Sequence, residues 1–427
     1  MLKQYIKQAW RVLRENPVLS TISILGTALA ICMIMVMVMT YQIKNAPYPP
    51  EVNRDRTLYV KWMRGNSKGN SDGSFSGLMG YQFASQVLKP IKSAEAVAIA
   101  YGLTRLTLVS RPGSDIAESY DLRRVDEGFW KVFEFDFIDG SPFDLADVSS
   151  GLRKAVLSES LAKKVFGRTD VSGERIELNY TGYTVQGVVK DVSTLAEAAY
   201  GQLWTPITSE PMLFEGAEGM SGICRAYILA KSSQDFPKIR AEIEALKEAY
   251  NAGTTEYSAD LSGQPDNHFS YIHRENPGDI PEVKKIVRQL ALTLLLLLIV
   301  PAINLSGITM SQMRKRLSEL GLRRSFGATR KEVMKQVMVE SLMSTLLGGA
   351  IGLVLAFASS YVLKFVLFSV RTFGILQGEL SVDPFSLITP TVFFIALLFC
   401  LLLNLLSALL PAWRVSRVPI VESLQSK

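Results

Sequence analysis

Histidine and cysteine are scarce in this sequence, at two and three residues among 427. His268 and His273 stand five apart, which places them on neither one helical face nor one strand face, so no metal centre is expected on them. Cys32 and Cys400 fall inside apolar stretches and leave Cys224 alone outside them, which excludes an internal disulfide framework. No Gly-x-x-x-x-Gly-Lys-Ser/Thr loop occurs, so the chain does not hydrolyse ATP by that route. Ser158, Glu159 and Ser160 have no histidine at a suggestive position. With no histidine, cysteine and acid constellation, an enzyme is not expected, and neither is a cofactor or metal bound to this chain. Charge is also missing, but only in places: residues 16–43, 289–313, 341–363 and 384–413 carry none.

Those four runs have 28, 25, 23 and 30 residues, and about 20 suffice to cross roughly 30 Å of hydrocarbon. Four transmembrane helices are therefore expected. In the first, Ala28-Leu29-Ala30 resembles a cleavage site, but Ile31 to Met39 continue the apolar run, so it reads as a retained anchor. The formal net charge of +6 divides unevenly. Residues 44–283 hold 26 Lys and Arg against 33 Asp and Glu, and the remainder holds 20 against 7. The basic excess sits beside the apolar runs, at Lys3, Lys7, Arg11 and Arg14, at eight positions within 314–335, and at Arg414, Arg417 and Lys427. That distribution explains the charge without nucleic acid and, by the positive-inside rule, puts both termini and the 314–335 loop in the cytoplasm.

Along the chain, residues 2–14 segregate apolar and basic side chains onto two helical faces, the pattern of a helix lying on the inner leaflet. The 44–280 stretch mixes strand signals at 56–63, 96–109 and 224–230 with helical ones at 79–89 and 236–250. Residues 280–290 present an apolar face expected to extend from the membrane as a stalk, and Pro301 is expected to kink the second span. Asn304 and Asn404 lie within spans, where an interhelical hydrogen bond is the simplest role. Ser344, Gly348, Gly352, Ala356 and Ser360 recur every four residues, a small-residue stripe for close helix packing. Its partner is either another span of this chain, the favoured choice, or a second copy.

The densest cluster of positive charge lies in 314–333. Leu317, Leu320 and either Gly321 or Arg324 fall at helical spacing, predicting a short amphipathic helix over 314–325. Gly327 suits a helix C-cap, and Thr329 with Glu332 has the spacing of a capping box. Helix, tight turn and helix together form a docking device.

Around this loop, Asn304 to Gly352 carries Glu319-Leu320-Gly321, Arg323-Arg324, Gly327-Ala328-Thr329, Glu340 and Gly348-Gly349. The pattern resembles the signature of FtsX-like, MacB-type ABC transporter permeases. A looser resemblance to the periplasmic core domain of the same family runs from Val125 to Asp191. It rests on Val125-Asp126-Glu127-Gly128-Phe129-Trp130, Gly140, Ala155-Val156-Leu157-Ser158-Glu159, Phe166-Gly167 and Tyr183-Thr184-Val185-Gln186-Gly187-Val188-Val189, and Leu203-Trp204-Thr205-Pro206 continues it.

The resemblance implies an α-helical membrane protein of the cytoplasmic (inner) membrane, with four transmembrane helices and a large extracytoplasmic α+β domain between the first two. The corresponding organisation is an interfacial helix (1–16), span 1 (17–43), the outer domain (44–280), stalk and span 2 (281–313), coupling helix and turn (314–330), span 3 (331–367), an outer loop (368–384), span 4 (385–411) and a cytoplasmic tail (412–427). It implies that Leu317, Glu319, Leu320, Gly321, Arg323, Arg324, Phe326, Gly327 and Ala328 dock an ABC ATPase. A full MacB carries its nucleotide-binding domain ahead of the first span, which here begins near residue 18, so ATP and Mg are expected on a separate ATPase subunit. Further implied partners are a second permease copy, identical or related, and a periplasmic adaptor or substrate protein, besides membrane lipid. The implied function is coupling of ATP hydrolysis to motion of the outer domain, for export or for lipoprotein or peptide handling. The alternative, as in FtsX itself, is a regulator that activates a cell-wall hydrolase without transport.

Overall fold

An uncharged run has no reason to break a helix until a polar boundary, and the first one here does not. α1 (Leu2–Glu15) is followed by α2 (Pro17–Asn45), which begins on a proline whose missing N–H costs nothing in a first turn. The computed structural model describes residues 2–15, 17–69, 73–114, 116–211, 216–315 and 329–362, together with 322, 325, 326, 371, 372, 375, 376, 393, 394, 397, 398, 401, 402, 405, 406, 409 and 413. The chain divides into one unit of Met1–Ile43, Lys284–Ser369 and Val382–Lys427 and a second of Lys44–Val283 and Val370–Ser381.

The second unit is an α+β domain. It opens with β1 (Thr57–Val60), β2 (Met63–Ser67), β3 (Phe75–Met79) and α3 (Tyr81–Phe83), which widens into a π-helical turn over Ala84–Leu88. β4 (Ala96–Tyr101), β5 (Arg105–Ser110), β6 (Glu118–Val125), α4 (Phe129–Val132), β7 (Phe137–Gly140) and α5 (Leu145–Ser149) follow. Next come β8 (Lys154–Ser158), α6 (Glu159–Phe166), β9 (Arg175–Leu178), β10 (Thr181–Val189) and β11 (Leu203–Pro206). β12 (Ser221–Gly222), β13 (Cys224–Leu229), α7 (Phe236–Gly253), β14 (Tyr257–Asp260), β15 (Asp266–Asn267) and α8 (His268–His273) lead to the exit.

Strand pairing closes part of this domain on itself. β6, β5, β9, β10, β8 and β11 pair in succession, and β11 returns to β6 in parallel, Leu203 opposite Leu122. Closure removes unpaired edges, which would otherwise invite aggregation. A core of its own, including Val109, Leu122, Leu157, Ile176, Val185 and Leu203, is buried with these strands. The remaining strands run from β4 through β13 to β3, β2 and β14, with β1 on β13 and β15 on β1. They share a larger core that includes Tyr59, Phe83, Phe129 and Tyr227, and Trp204 of β11 enters it from the ring.

Sequence and structure differ in detail here. The 96–109 strand signal resolves into two strands, because the chain bends at Gly102, where an added Cβ would meet Leu78 and Arg225 side chains at 3.0 and 3.1 Å. The 79–89 helix is mostly the π-turn, which ends with Lys89 N bonded to Ala84 O at 3.2 Å. α7 continues past the 250 boundary to Gly253.

The first unit continues with α9 (Val283–Lys315) and α10 (Arg330–Val362). α9 runs unbroken through Pro301. Among the described residues, two helical stretches, Pro17–Gln42 and Met334–Ser359, are long and apolar enough to cross a membrane. Ile31, Cys32, Ile34, Met35 and Met39 of α2 are buried with Ala356 of α10, and Phe393 and Leu397 pack against them. α1 lies against α10, with Ala9 fully buried. In the second unit a two-stranded ladder, β16 (Arg371–Thr372) with β17 (Ile375–Leu376), completes the described elements.

Candidate functional site: the loop between two long helices and the adjoining seam

The end of α9 reaches Arg314 and Lys315, so the first residues of the 314–325 segment continue a long helix. Leu317, Glu319, Leu320, Gly321, Arg323, Arg324, Gly327 and Ala328 lie outside the described residues. Phe326 N donates to Leu322 O at 3.2 Å, and Ser325 Oγ to the same carbonyl at 2.6 Å, which is one turn of helical geometry. Phe326 is 84% exposed and Leu322 50%. Two large apolar side chains four residues apart thus face outward at this turn. Immediately after, Thr329 Oγ1 accepts from Glu332 N at 3.4 Å, and Glu332 Oε2 accepts from Thr329 N at 2.8 Å. This is the reciprocal cap that their spacing predicts, and it starts α10 at Arg330.

The small-residue stripe lies on α10. Gly348, Gly352 and Ala356 are buried, Ser344 is half-buried, and Ser360 sits in the last turns of the helix. A Cβ on Gly348 would stand 2.8 Å from Thr27 Cβ and 3.0 Å from Ile24 O, and one on Gly352 would stand 2.7 Å from Ala28 O. The glycines therefore admit the backbone of α2. Two hydroxyls on these helices turn back onto their own backbone: Thr27 Oγ1 donates to Ser23 O at 2.9 Å and Thr345 Oγ1 to Ser341 O at 2.8 Å. A polar contact crosses between the helices, Cys32 Sγ with Ser359 Oγ at 3.8 Å, beside the close packing at the glycines.

In the outer unit, the residues that carry the looser resemblance serve the fold. Asp126, fully buried, accepts from Ile99 N at 2.9 Å and Phe129 N at 3.1 Å, and pairs with Lys89 Nζ at 2.6 Å. Burial pushes its carboxyl up to about 6 against the pull of Lys89. Ser158 caps α6 by accepting from Leu161 N, and Gly167 ends it in the left-handed conformation at φ 76°. His268 and His273 do not converge on a shared centre: His268 Nε2 donates to Lys44 O at 2.9 Å, and His273 Nδ1 lies 2.8 Å from Phe269 O. Burial pushes His268 down to about 4, with Arg54 acting in the same direction. Among the described residues no group of three His, Cys, Asp or Glu side chains could hold a metal ion.

Sequence profiles settle what this assembly is. The MacB-like periplasmic core domain matches residues 20–246, and the FtsX-like permease C-terminal domain matches residues 291–420. The chain belongs to the MacB-like, FtsX-type family of ABC transporter permeases. Within this family it is 22% identical over 346 residues to the uncharacterized ABC transporter permease YknZ of Bacillus subtilis, covering 80% of this chain and 79% of that one. It is 20% identical over 426 residues to the macrolide export ATP-binding/permease protein MacB of Escherichia coli K12, covering 98% of this chain and 60% of MacB. Among solved structures, the extracellular domain of YknZ from Gram-positive bacteria aligns at 18% identity with a TM-score of 0.34, covering 47% of this chain and 98% of that domain. The periplasmic region of MacB from Actinobacillus actinomycetemcomitans aligns at 16% identity and the same TM-score of 0.34, over 51% and 91% of the two chains. For a MacB-like permease, what sequence reasoning missed are the long-range bonds of His268 to Lys44 O and of buried Arg54 to Leu195 O, which join residues 224 and 141 positions apart and which no local pattern marks.

Proposed function

We propose that this chain is the membrane subunit of an ABC transporter that converts ATP hydrolysis on a separate ATPase subunit into motion of its outer domain. In this reading it crosses the cytoplasmic membrane four times, with both termini and the 314–330 loop in the cytoplasm and the 44–280 domain outside. ATP and Mg bind the partner ATPase, a second permease copy pairs with this one, and an adaptor or substrate protein meets the outer domain. Export is the direction that the MacB relatives' name suggests.

The observation that carries the reading is the FtsX-like permease match over 291–420, which takes in the loop, most of α9 before it and all of α10 after it. Exposed Leu322 and Phe326 support it, because adjacent large apolar side chains on a surface mark a place for a partner. Glu319 is the only acid within 314–328, so it offers a specific ion pair inside a basic segment. Gly321 leaves room for close approach.

Glu319→Lys, Gly321→Trp or Phe326→Asp should leave membrane insertion intact while the ATPase that accompanies the parent chain no longer co-purifies. Losing a buried charge pair costs about 2 kcal/mol or more, which is over tenfold in affinity. Retained co-purification together with retained stimulation of ATP turnover would overturn the coupling assignment. An ATPase that cycles without export, while a cell-wall hydrolase depends on this chain, would assign it to regulation instead.

A further inference from the structure

Four buried polar atoms on one side of the outer sheet find no hydrogen-bond partner among the described residues: Tyr59 Oη, Tyr227 Oη, Arg225 Nε and His268 Nδ1. Strand pairing sets three of these residues side by side. Tyr59 of β1 stands opposite Tyr227 of β13, Tyr227 opposite Ala98 of β4, and Arg225, two residues back on β13, opposite Ala100. Directly opposed residues of antiparallel strands share a face, and so do residues two apart. Tyr59, Arg225 and Tyr227 are 1%, 3% and 0% exposed. The ring of His268 comes to 5.5 Å from that of Tyr59, on which Tyr271 stacks at 4.6 Å.

The segment 195–200, between β10 and β11, covers this face, and buried arginines hold it there. Arg225 Nη1 reaches Glu197 Oε1 at 3.3 Å and Tyr271 Oη at 3.2 Å. Arg123 donates to Tyr200 O at 2.6 Å and to Glu197 O at 3.0 Å, and Arg54 Nη2 to Leu195 O at 2.7 Å. On β4 the neighbours are short. Ala98 and Ala100 are followed by Gly102, where an added Cβ would stand 3.1 Å from Arg225 Nε. No large side chain of that strand is therefore interposed beside the guanidinium and the phenols.

The four atoms differ in what they lack. Arg225 Nε can only donate. His268 Nε2 donates to Lys44 O, and burial keeps the ring neutral, so Nδ1 can only accept. Burial also pushes both phenols up, so each remains a hydroxyl that donates and accepts. A cation would leave the guanidinium without an acceptor, and an anion would leave the imidazole without a donor. The set calls for a ligand that does both, because a polar group buried bare costs free energy.

We propose that this face of the outer sheet binds ordered water, held by Tyr59, Tyr227, Arg225 and His268 beneath the 195–200 segment. Buried waters typically make about three hydrogen bonds to such groups and act as part of the fold. The site lies wholly within the outer unit and stands whether or not the chain serves a transporter.

Radiolytic labelling of the full-length chain in nanodiscs reads the water directly, since hydroxyl radicals formed from bound water oxidise the rings beside it. Tyr59 and Tyr227 should be oxidised although buried, whereas Phe83 and Phe129, both 0% exposed in the apolar core, stay unlabelled. Urea unfolding of Tyr59→Phe and Tyr227→Phe, which keep the rings, supplies a test of sign. Removing a hydroxyl that nothing meets relieves a bare buried group and raises the midpoint. Removing one that meets water strips a hydrogen bond, so both midpoints should fall and each unfolding constant rise about fivefold. Tyr59 and Tyr227 as unlabelled as Phe83, or a midpoint unchanged or raised in either variant, overturns the proposal. Should a variant fail to fold, labelling of the parent chain decides the matter.

Discussion

His268 shows how one side chain without a local signal alters behaviour. Its imidazole sits at about 4 rather than 6.5, pushed down first by burial and then by Arg54, and opposed by its bond to Lys44 O and by Glu197, with His273 also facing it. The folded chain therefore resists a proton that the unfolded chain accepts between those values. Stability from this group is complete above about pH 6.5 and is lost as pH falls to about 4. Asp126 acts the opposite way over part of that range, because its folded value is raised from 3.8 to about 6. Subtracting the pH profile of His268→Phe from that of the parent cancels Asp126. The parent should lose about 2 kcal/mol more than the variant between pH 6.5 and 4, allowing for solvent at the residue's exposed edge. Urea unfolding followed through Trp62, Trp130 and Trp204 of the outer domain measures it, and parallel profiles would show that His268 takes up its proton equally in the folded and unfolded chain.

At the scale of elements, the seam between α2 and α10 depends on the absence of side chains. Thr27 Cγ2, Ile24 O, Ala28 O and Ile31 Cβ all lie within 3.0 Å of where a Cβ on Gly348 or Gly352 would sit. Two of these atoms are backbone carbonyls and cannot rotate away. Gly352→Ala should then force the helices apart at a cost of about 1–3 kcal/mol, and Gly352→Leu more. Val354→Leu, two residues along the same helix, provides the control, since the Val354 side chain is 67% exposed among the described residues. Thermal unfolding of the detergent-purified chain should show the first two variants melting below the parent and the control beside it. Equal melting of all four would mean that the seam yields freely.

The whole molecule separates two kinds of core. In the outer unit the closed ring β6-β5-β9-β10-β8-β11 and the neighbouring layer each bury their own apolar cluster. In the other unit α2 and α10 bury the residues between them, and large apolar side chains such as Leu29 and Val354 point outward. Outward-facing leucine and valine along helices long enough to span hydrocarbon suit lipid rather than water. The charge division follows the same split, with 26 Lys and Arg against 33 Asp and Glu over 44–283 and 20 against 7 elsewhere. Single-cysteine labelling in intact cells should accordingly reach positions 65 and 376 from outside and position 320 only after permeabilisation. Labelling of position 320 from outside would invert the arrangement and with it the coupling assignment.

What the sequence determined by itself is what short-range physics controls. Uncharged runs make long helices because no polar group interrupts them. Thr329 and Glu332 cap α10 because three residues is the reach of that reciprocal bond. Ser344, Gly348, Gly352 and Ala356 share a face because four residues is close to a helical turn. The partner of that face was beyond such reasoning, since periodicity marks a surface but not its neighbour, and only packing set Gly348 against Thr27. The same limit applies to the ring, closed by Leu203 pairing with Leu122, and to the bond from His268 to Lys44, 224 residues apart. Closing such long loops costs chain entropy that no local pattern offsets, so their pairing is a property of the tertiary structure.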